Sequence, residues 1–325
     1  VSTMQEEQRH LSVIEKKEVA KPFPFTMNFI HKKIKLESFS SLNYKSFFFH
    51  ENVNQGKGFL ALHEKSKEDD ESFASQKIDA AADIILDEMP GGAEIGSMLH
   101  NILELIDFET VYTKAKCQTD NGGSLIDDPE IGDIILRQMD IYRVDKCWQQ
   151  HICRIIKNTL TTPISIVDDK FVLGRLRKED RLHEIEFYYP FSLPVDDNKK
   201  IPDCKITNGF IKGFIDLVFK YAGKYYIADW KSNYIEEGYS RDAMEVNMNH
   251  ANYHLQYKLY SIALIRWLKQ AMGNRFNPAK DFGGVFYFYL RGMEPGTENG
   301  IYHVPGEKLG DLDRLEREVA KRIHH

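Results

Sequence analysis

The sequence predicts an α/β fold, a central mixed β-sheet flanked by helices, and three observations predict it. Residues 212–231, KGFIDLVFKYAGKYYIADWK, alternate as two strands about Tyr221-Ala222-Gly223-Lys224, a hairpin with glycine at its turn. Phe282 to Leu290 is an apolar run of strand length, suited to a buried position in a sheet. Between and before these, residues 93–107 and 253–270 carry apolar side chains at helical spacing.

The hairpin organises the rest. A loop of two or four residues sets Tyr221 level with Lys224, and so Asp216 level with Asp229; a three-residue loop would send the aspartates to opposite faces. The apolar pattern selects the even register. It is expected to stack Ile211, Ile215, Leu217 and Phe219 with Tyr226, Ala228 and Trp230 on one core-facing surface, leaving Asp216, Asp229 and Lys231 together on the other. Opposed residues sit about 4.5–5.5 Å apart at Cβ, where two like charges are destabilising. A cation between them removes the penalty. Two carboxylates beside a lysine suit a divalent ion bound through oxygen and working on phosphate, with lysine as a point charge for water or developing negative charge. A solvated hairpin edge with chance acids fits the spacing equally well.

Taken in order, residues 1–35 read as a charged helical scrap and an extended linker broken at Pro22 and Pro24, and 36–325 as one domain. Glu51 to Lys77 is polar and is read as a mobile loop. In the 93–107 helix, Gly96, His100 and Glu104 share one side. Asp128 to Leu160 reads as one long, mostly helical stretch, with Arg137, Arg143, Arg154 and Lys157 either a solvated face or turned to a polyanion. Residues 183–190 alternate as a strand, with Glu184 and Glu186 on one side. A mixed loop follows Ser232-Asn233, then the 253–270 helix, with Gln256, Tyr260, Ala263 and Trp267 on a common face. Residues 312–323 form an amphipathic, charged helix, and there is no internal repeat.

Composition sets bounds. Forty-two per cent apolar residues allow a sizeable core, and no run of 18 apolar residues suggests a membrane span. No signal-peptide pattern opens the chain, and the start at Val1 reads as a cut from a longer polypeptide. Cys117, Cys147, Cys153 and Cys204 form no CxxC pair, which points to a reduced, cytoplasmic protein without a disulfide or zinc framework. A net charge of −6 and no long basic run leave little general affinity for nucleic acid. GxxxxGK[ST] is absent, so the chain carries no ATP site of that kind.

The wording GFIDLVF…YYIADWKSN resembles the D…(D/E)xK core of the PD-(D/E)xK nuclease superfamily, and within it the nuclease domains of RecB-type helicase–nucleases. The resemblance resumes in LESFSSL (36–42), PGGAEIGSMLHNILELIDF (90–108), HEIEFYYP (183–190), HANYHLQYKLYSIAL (250–264) and FGGVFYFYLRG (282–292). It implies a restriction-endonuclease-like fold and Mg²⁺-dependent hydrolysis of DNA, with Mn²⁺ as a substitute. It also implies that Asp216, Asp229, His100 and the Trp230 main-chain carbonyl ligate the metal, that Lys231 positions or activates water, and that Glu184 acts nearby with Glu186 as the alternative. Gln256 and Tyr260 match the QxxxY motif that places DNA, and Glu104 is left as a supporting or capping residue. Residues 1–35 would be a tail from a preceding helicase portion. Partners implied are DNA, RecC- and RecD-like subunits, and a RecA-like recombinase, with no membrane. Cluster-bearing relatives place cysteines after the QxxxY helix; none follows Cys204, so no iron–sulfur cluster is expected.

Two rivals stand beside this reading. A catalytically silent scaffold that docks subunits or a recombinase would have lost the acids or the lysine, and this chain keeps them. A stand-alone repair or CRISPR-associated nuclease fits less well with the missing cluster cysteines and the cut-like start.

Overall fold

The computed structural model describes residues 35–38, 89, 91–117, 124–192 and 208–324. Residues 1–34 of the linker expected over 1–35, residues 39–42 and the polar loop expected over 51–77 lie outside the described residues, while Lys35 opens a strand.

A six-stranded mixed sheet forms the middle layer. Its strands are β1 (Lys35–Ser38), β2 (Arg181–Ser192), β3 (Asn208–Tyr221), β4 (Lys224–Lys231), β5 (Phe282–Tyr289) and β6 (Ile301–Pro305). The long β3 takes antiparallel β2 along almost its whole length. It also pairs with parallel β1 at 209–212 and antiparallel β4 at 217–221. β5 then joins β4 in parallel, and β6 closes the series antiparallel to β5.

Helices cover both faces, which is why β5 reads as a continuous apolar run and not as an alternating one. Its Phe286 and Phe288 enter a core shared with α1 (Ala93–Leu105), α2 (Phe108–Cys117), α3 (Pro129–Ile141) and α4 (Gln149–Thr161). Its Val285, Tyr287 and Tyr289 enter the opposite core, shared with α5 (Arg241–His250), α6 (Tyr253–Met272) and α7 (Leu312–His324). Full burial of one such side chain stabilises by about 1.5–3 kcal/mol, so β5 anchors both layers at once. Ion pairs Lys258–Glu318 at 2.7 Å and Arg266–Glu316 at 2.9 Å join α6 to α7.

The β3–β4 turn has the predicted even length. Ala222 and Gly223 form a two-residue loop with φ +48° and +80°, positive at both central positions as a type I′ hairpin requires. Tyr221 pairs with Lys224, and the register runs to Leu217–Ala228.

Four expectations need correction. Ile211 and Ile215 do not share a face with Leu217 and Phe219; they pack in the α5–α7 core while the latter pair pack in the α1–α4 core. The 128–160 stretch is two helices. Asp128 caps α3 by accepting from the Glu130 and Ile131 amides, Arg143 leaves it with φ +54°, and Asp145 opens a new turn by accepting from the Cys147 amide. The segment read as a loop after Asn233 contains α5, capped by Ser240 accepting from the Ala243 amide. Elements α2 and β6 had no counterpart in the sequence reading. Among the described residues no helix is long and apolar enough to cross a membrane.

Candidate metal centre and active site

The site forms where β2 and β3 change sides. Arg181 and His183 turn toward Phe108 of the first core, whereas Ile185, Phe187 and Tyr189 turn to the second. On β3, Phe219 and Leu217 face the first core, and Ile215 and Ile211 the second. Pairing nevertheless stays in register, His183 with Leu217 and Ile185 with Ile215. The residues between them, Glu184 and Asp216, absorb the change. Glu184 does so at φ +49°, a left-handed conformation that costs a non-glycine residue energy and recurs at functional positions. The twist delivers both carboxyls to the seam between the layers.

His100 reaches that seam from α1. Its Nε2 lies 3.0 Å from the Trp230 main-chain oxygen. A carbonyl only accepts, so Nε2 carries a proton, and in the neutral ring this tautomer leaves the Nδ1 lone pair on the other side. Nδ1 is 3.6 Å from Asp216 Oδ2. Gly96, one turn earlier, permits the approach: a Cβ there would sit 2.8 Å from Ser232 Oγ, just past β4. Donor atoms of His100, Glu184 and Asp216 all lie within 4.8 Å of one another. Burial, followed by the charge of Asp216, pushes the Glu184 carboxyl up to about 7, with Glu104 and Asp229 adding to the effect and His100 opposing it. Much of Glu184 remains exposed, so solvent screening tempers that shift.

Asp229 and Lys231 occupy the face beneath α6. Asp229 follows Ala228, whose pairing with Leu217 is the last step of the β3–β4 register, and is only 2 % exposed. It lies outside the three-donor cluster, its Oδ2 2.7 Å from Lys231 Nζ. Burial pushes the Lys231 ammonium toward the neutral form, but the Asp229 charge prevails and holds its pKa above the ordinary lysine value. Lys231 Nζ also donates to Gln256 Oε1 at 3.2 Å and sits 3.9 Å from the Tyr253 ring centre. Gln256 Oε1 accepts from Tyr287 as well, and Gln256 Nε2 donates to Tyr260. Both Gln256 and Tyr260 are buried, while Trp267 on the helix side predicted for them is 48 % exposed. Trp230, between Asp229 and Lys231, points into the first core.

The family model for the PD-(D/E)XK nuclease superfamily matches residues 72–325. The chain belongs to that superfamily. Among curated relatives, the RecBCD enzyme subunit RecB of Buchnera aphidicola (subsp. Acyrthosiphon pisum) is 30% identical over 68% of this chain and 19% of its own length. RecB of Haemophilus influenzae is 29% identical over 66% of this chain and 18% of its own length, and RecB of Escherichia coli 28% over 66% and 18%. The chain spans about a fifth of the length of these relatives.

Members of a superfamily defined by its acids and lysine need a cation among them, and the donor set here fits one. An imidazole nitrogen and two carboxylates within one ion's reach match the mixed nitrogen and oxygen ligands of divalent metals. The Glu184 pKa is raised first by burial and then by the Asp216 charge, and a bound cation opposes both. Glu186, the alternative acid, is held away by Lys212 at 2.5 Å and by the Tyr188 hydroxyl at 2.9 Å. Glu104 is exposed one turn beyond His100.

Three contributors escaped sequence reasoning. Tyr253 and Tyr287 wall in the lysine. Arg291 donates from Nε to the Ser232 carbonyl at 2.7 Å and from Nη1 to the Met89 carbonyl at 2.5 Å. It thereby ties the exit of β4 to the approach of α1. A basic residue ending an apolar strand was the only signal, and it carries no partner's address.

Proposed function

We propose that this chain hydrolyses DNA phosphodiester bonds with Mg²⁺, Mn²⁺ substituting, as the nuclease module of a RecBCD-type helicase–nuclease in double-strand-break repair and recombination. The observation that carries the reading is the His100–Glu184–Asp216 cluster standing beside the Asp229–Lys231 pair. In this reading RecC- and RecD-like subunits are the partners, and the motor lies outside the residues described.

His100, Glu184 and Asp216 would hold the ion, with Asp229 and the Trp230 carbonyl beside them. When bound, the ion supplies an activated water and steadies the charge of an in-line displacement. The protein's own groups do the remainder. The Trp230 amide fixes one oxygen of Asp216 by donating to it at 2.7 Å. Asp229 keeps Lys231 protonated, and Gln256 aims it. Lys231 then places a fixed positive charge where the phosphate gains negative charge, or orients the attacking water. Gln256 and Tyr260, being buried, act on DNA through Lys231.

The test is cleavage of single-stranded DNA with Mg²⁺ or Mn²⁺, comparing wild type with Lys231→Ala and including an EDTA control. Metal-dependent cleavage by the wild type, severely reduced in the variant, is expected. Equal cleavage by both proteins rejects the mechanism. No cleavage by either, even when joined to the helicase portion and partners, favours a silent scaffold.

A further inference from the structure

We propose that a cavity walled in part by Arg291 binds a backbone phosphate of the substrate strand, close along the strand to the phosphate that is cut. The inference rests on the nuclease reading and adds a subsite to it. The cavity holds about 100 Å³ and is lined by Arg154, His151 and Asn158 of α4, by Tyr234, and by Arg291 and Met89 among others. Among the described residues no aspartate or glutamate lines it. In a chain of net charge −6, a recess with two arginines, a histidine and no acid is a local inversion of sign.

Arg154 makes the case specific. Other arginines of the fold hold carboxylates: Arg137 pairs with Asp133, Arg177 with Asp180 and Arg266 with Glu316. Arg154 has no hydrogen-bond or ion-pair partner among the described residues, yet its helix is firmly seated through buried Ile152, Ile155 and Ile156. An immobile helix thus offers an uncommitted guanidinium to the recess. Its planar fork suits phosphate oxygens.

Position links the recess to the site. Arg291, one of its walls, donates to the carbonyl of Ser232, the residue after Lys231. Tyr234 lies three residues beyond Lys231, at most about 11 Å along an extended chain. It is 54 % exposed and offers a ring face on which a base can stack beside a captured phosphate. The recess therefore supplies both contacts a single strand needs, charge for the backbone and a ring for a base, beside the segment that carries the lysine.

The test measures binding of a labelled single-stranded oligonucleotide in EDTA, over a range of salt concentrations, where no cleavage occurs. Each phosphate contact on a single strand contributes about 0.7 to the slope of log K against log salt. Arg154→Gln is expected to weaken binding and lower that slope by about 0.7, and Arg137→Gln to leave it unchanged. Tyr234→Ala is expected to weaken binding about five-fold or more without altering the slope, because stacking releases no counterions. Oligonucleotides with 5′-phosphate, 3′-phosphate or unphosphorylated ends divide the sources. A loss in Arg154→Gln with every oligonucleotide identifies an internal diester, and a loss confined to phosphorylated ends identifies a terminal monoester. Folded Arg154→Gln that binds all of them with the wild-type slope overturns the proposal and leaves the nuclease reading standing. Failure of the wild type to bind any of them overturns the proposal, while the nuclease reading stands or falls on the cleavage assay with metal.

Discussion

The main-chain amide of Trp230 donates to the carboxylate of Asp216 at 2.7 Å. One hairpin strand thus holds the acid of the other, and the same residue's carbonyl holds His100. A single peptide segment orients two groups of the candidate metal cluster.

Asp216→Asn and Asp216→Ala should therefore differ in stability while agreeing in activity. Both remove the carboxylate proposed to bind the metal, and metal-dependent cleavage should disappear in both. Asparagine keeps an acceptor for the Trp230 amide, so its melting temperature should stay near wild type. Alanine strands a buried donor, at a cost of about 1–3 kcal/mol. Thermal melts beside a cleavage assay check this; equal melting temperatures would show that the amide bond contributes nothing.

Glu184 gives the metal-free protein a pH signature. Its pKa is about 7 in the fold against 4.5 for the free side chain, so between those values the folded state holds a proton that the unfolded state has lost. Stability from this group falls as pH rises through that window. Glu184→Gln should match wild type near pH 4 and melt higher than wild type near pH 8. Added Mg²⁺ at pH 8 should raise the wild-type melting temperature and do little for Glu184→Gln. Melts at the two pH values, with and without metal, settle the sign.

Lys231→Ala should lower the single-turnover cleavage rate by about 10²–10³, the usual cost of losing one donor at developing charge. It also leaves the buried Asp229 carboxylate without its cation, and removing one member of such a pair costs about 3–5 kcal/mol. Gln256→Leu keeps the ion pair and removes the acceptor that aims the lysine, along with the bonds to Tyr287 and Tyr260. Its rate should fall less and its stability hold better. A Gln256→Leu enzyme with unchanged rate would show that the glutamine does not position Lys231.

Gly96→Ala should slow cleavage by pushing α1, and His100 with it, off Ser232. Because the nearest obstacle is the serine hydroxyl, adding Ser232→Ala should restore much of the rate. A double variant as slow as Gly96→Ala alone would place the fault elsewhere in the helix.

What the sequence disclosed follows from the range over which each signal acts. The hairpin, its even loop and its register from Tyr221–Lys224 to Leu217–Ala228 are local consequences of period-two alternation and turn chemistry, and they are legible. The change of face at Glu184 and Asp216 was not, because a glutamate in a left-handed conformation leaves no mark in residue type. That hidden twist is also why Ile211 and Ile215 were assigned to the wrong core. Helix α5 was overlooked because Asn247 and Asn249 are weak helix formers, and burial of Met244 and Met248 against the sheet outweighs them. Helix spacing alone left His100 ambiguous, and the family resemblance singled it out. The tyrosine walls around Lys231 and the Arg291 tie join residues far apart in the chain, which no local pattern records.

The braced pair of α6 and α7 gives the lysine a history as well as a place. Lys231 leaves the ribosome before Gln256, Tyr287 and the α7 glutamates that steady the helix above it. A nascent chain that ends before α7 already carries every acid of the cluster, yet its lysine lacks the settled helix that aims it. On the proposed reading the lysine is therefore aimed only once α7 has docked, and chains truncated before Leu312 should bind metal more readily than they cleave.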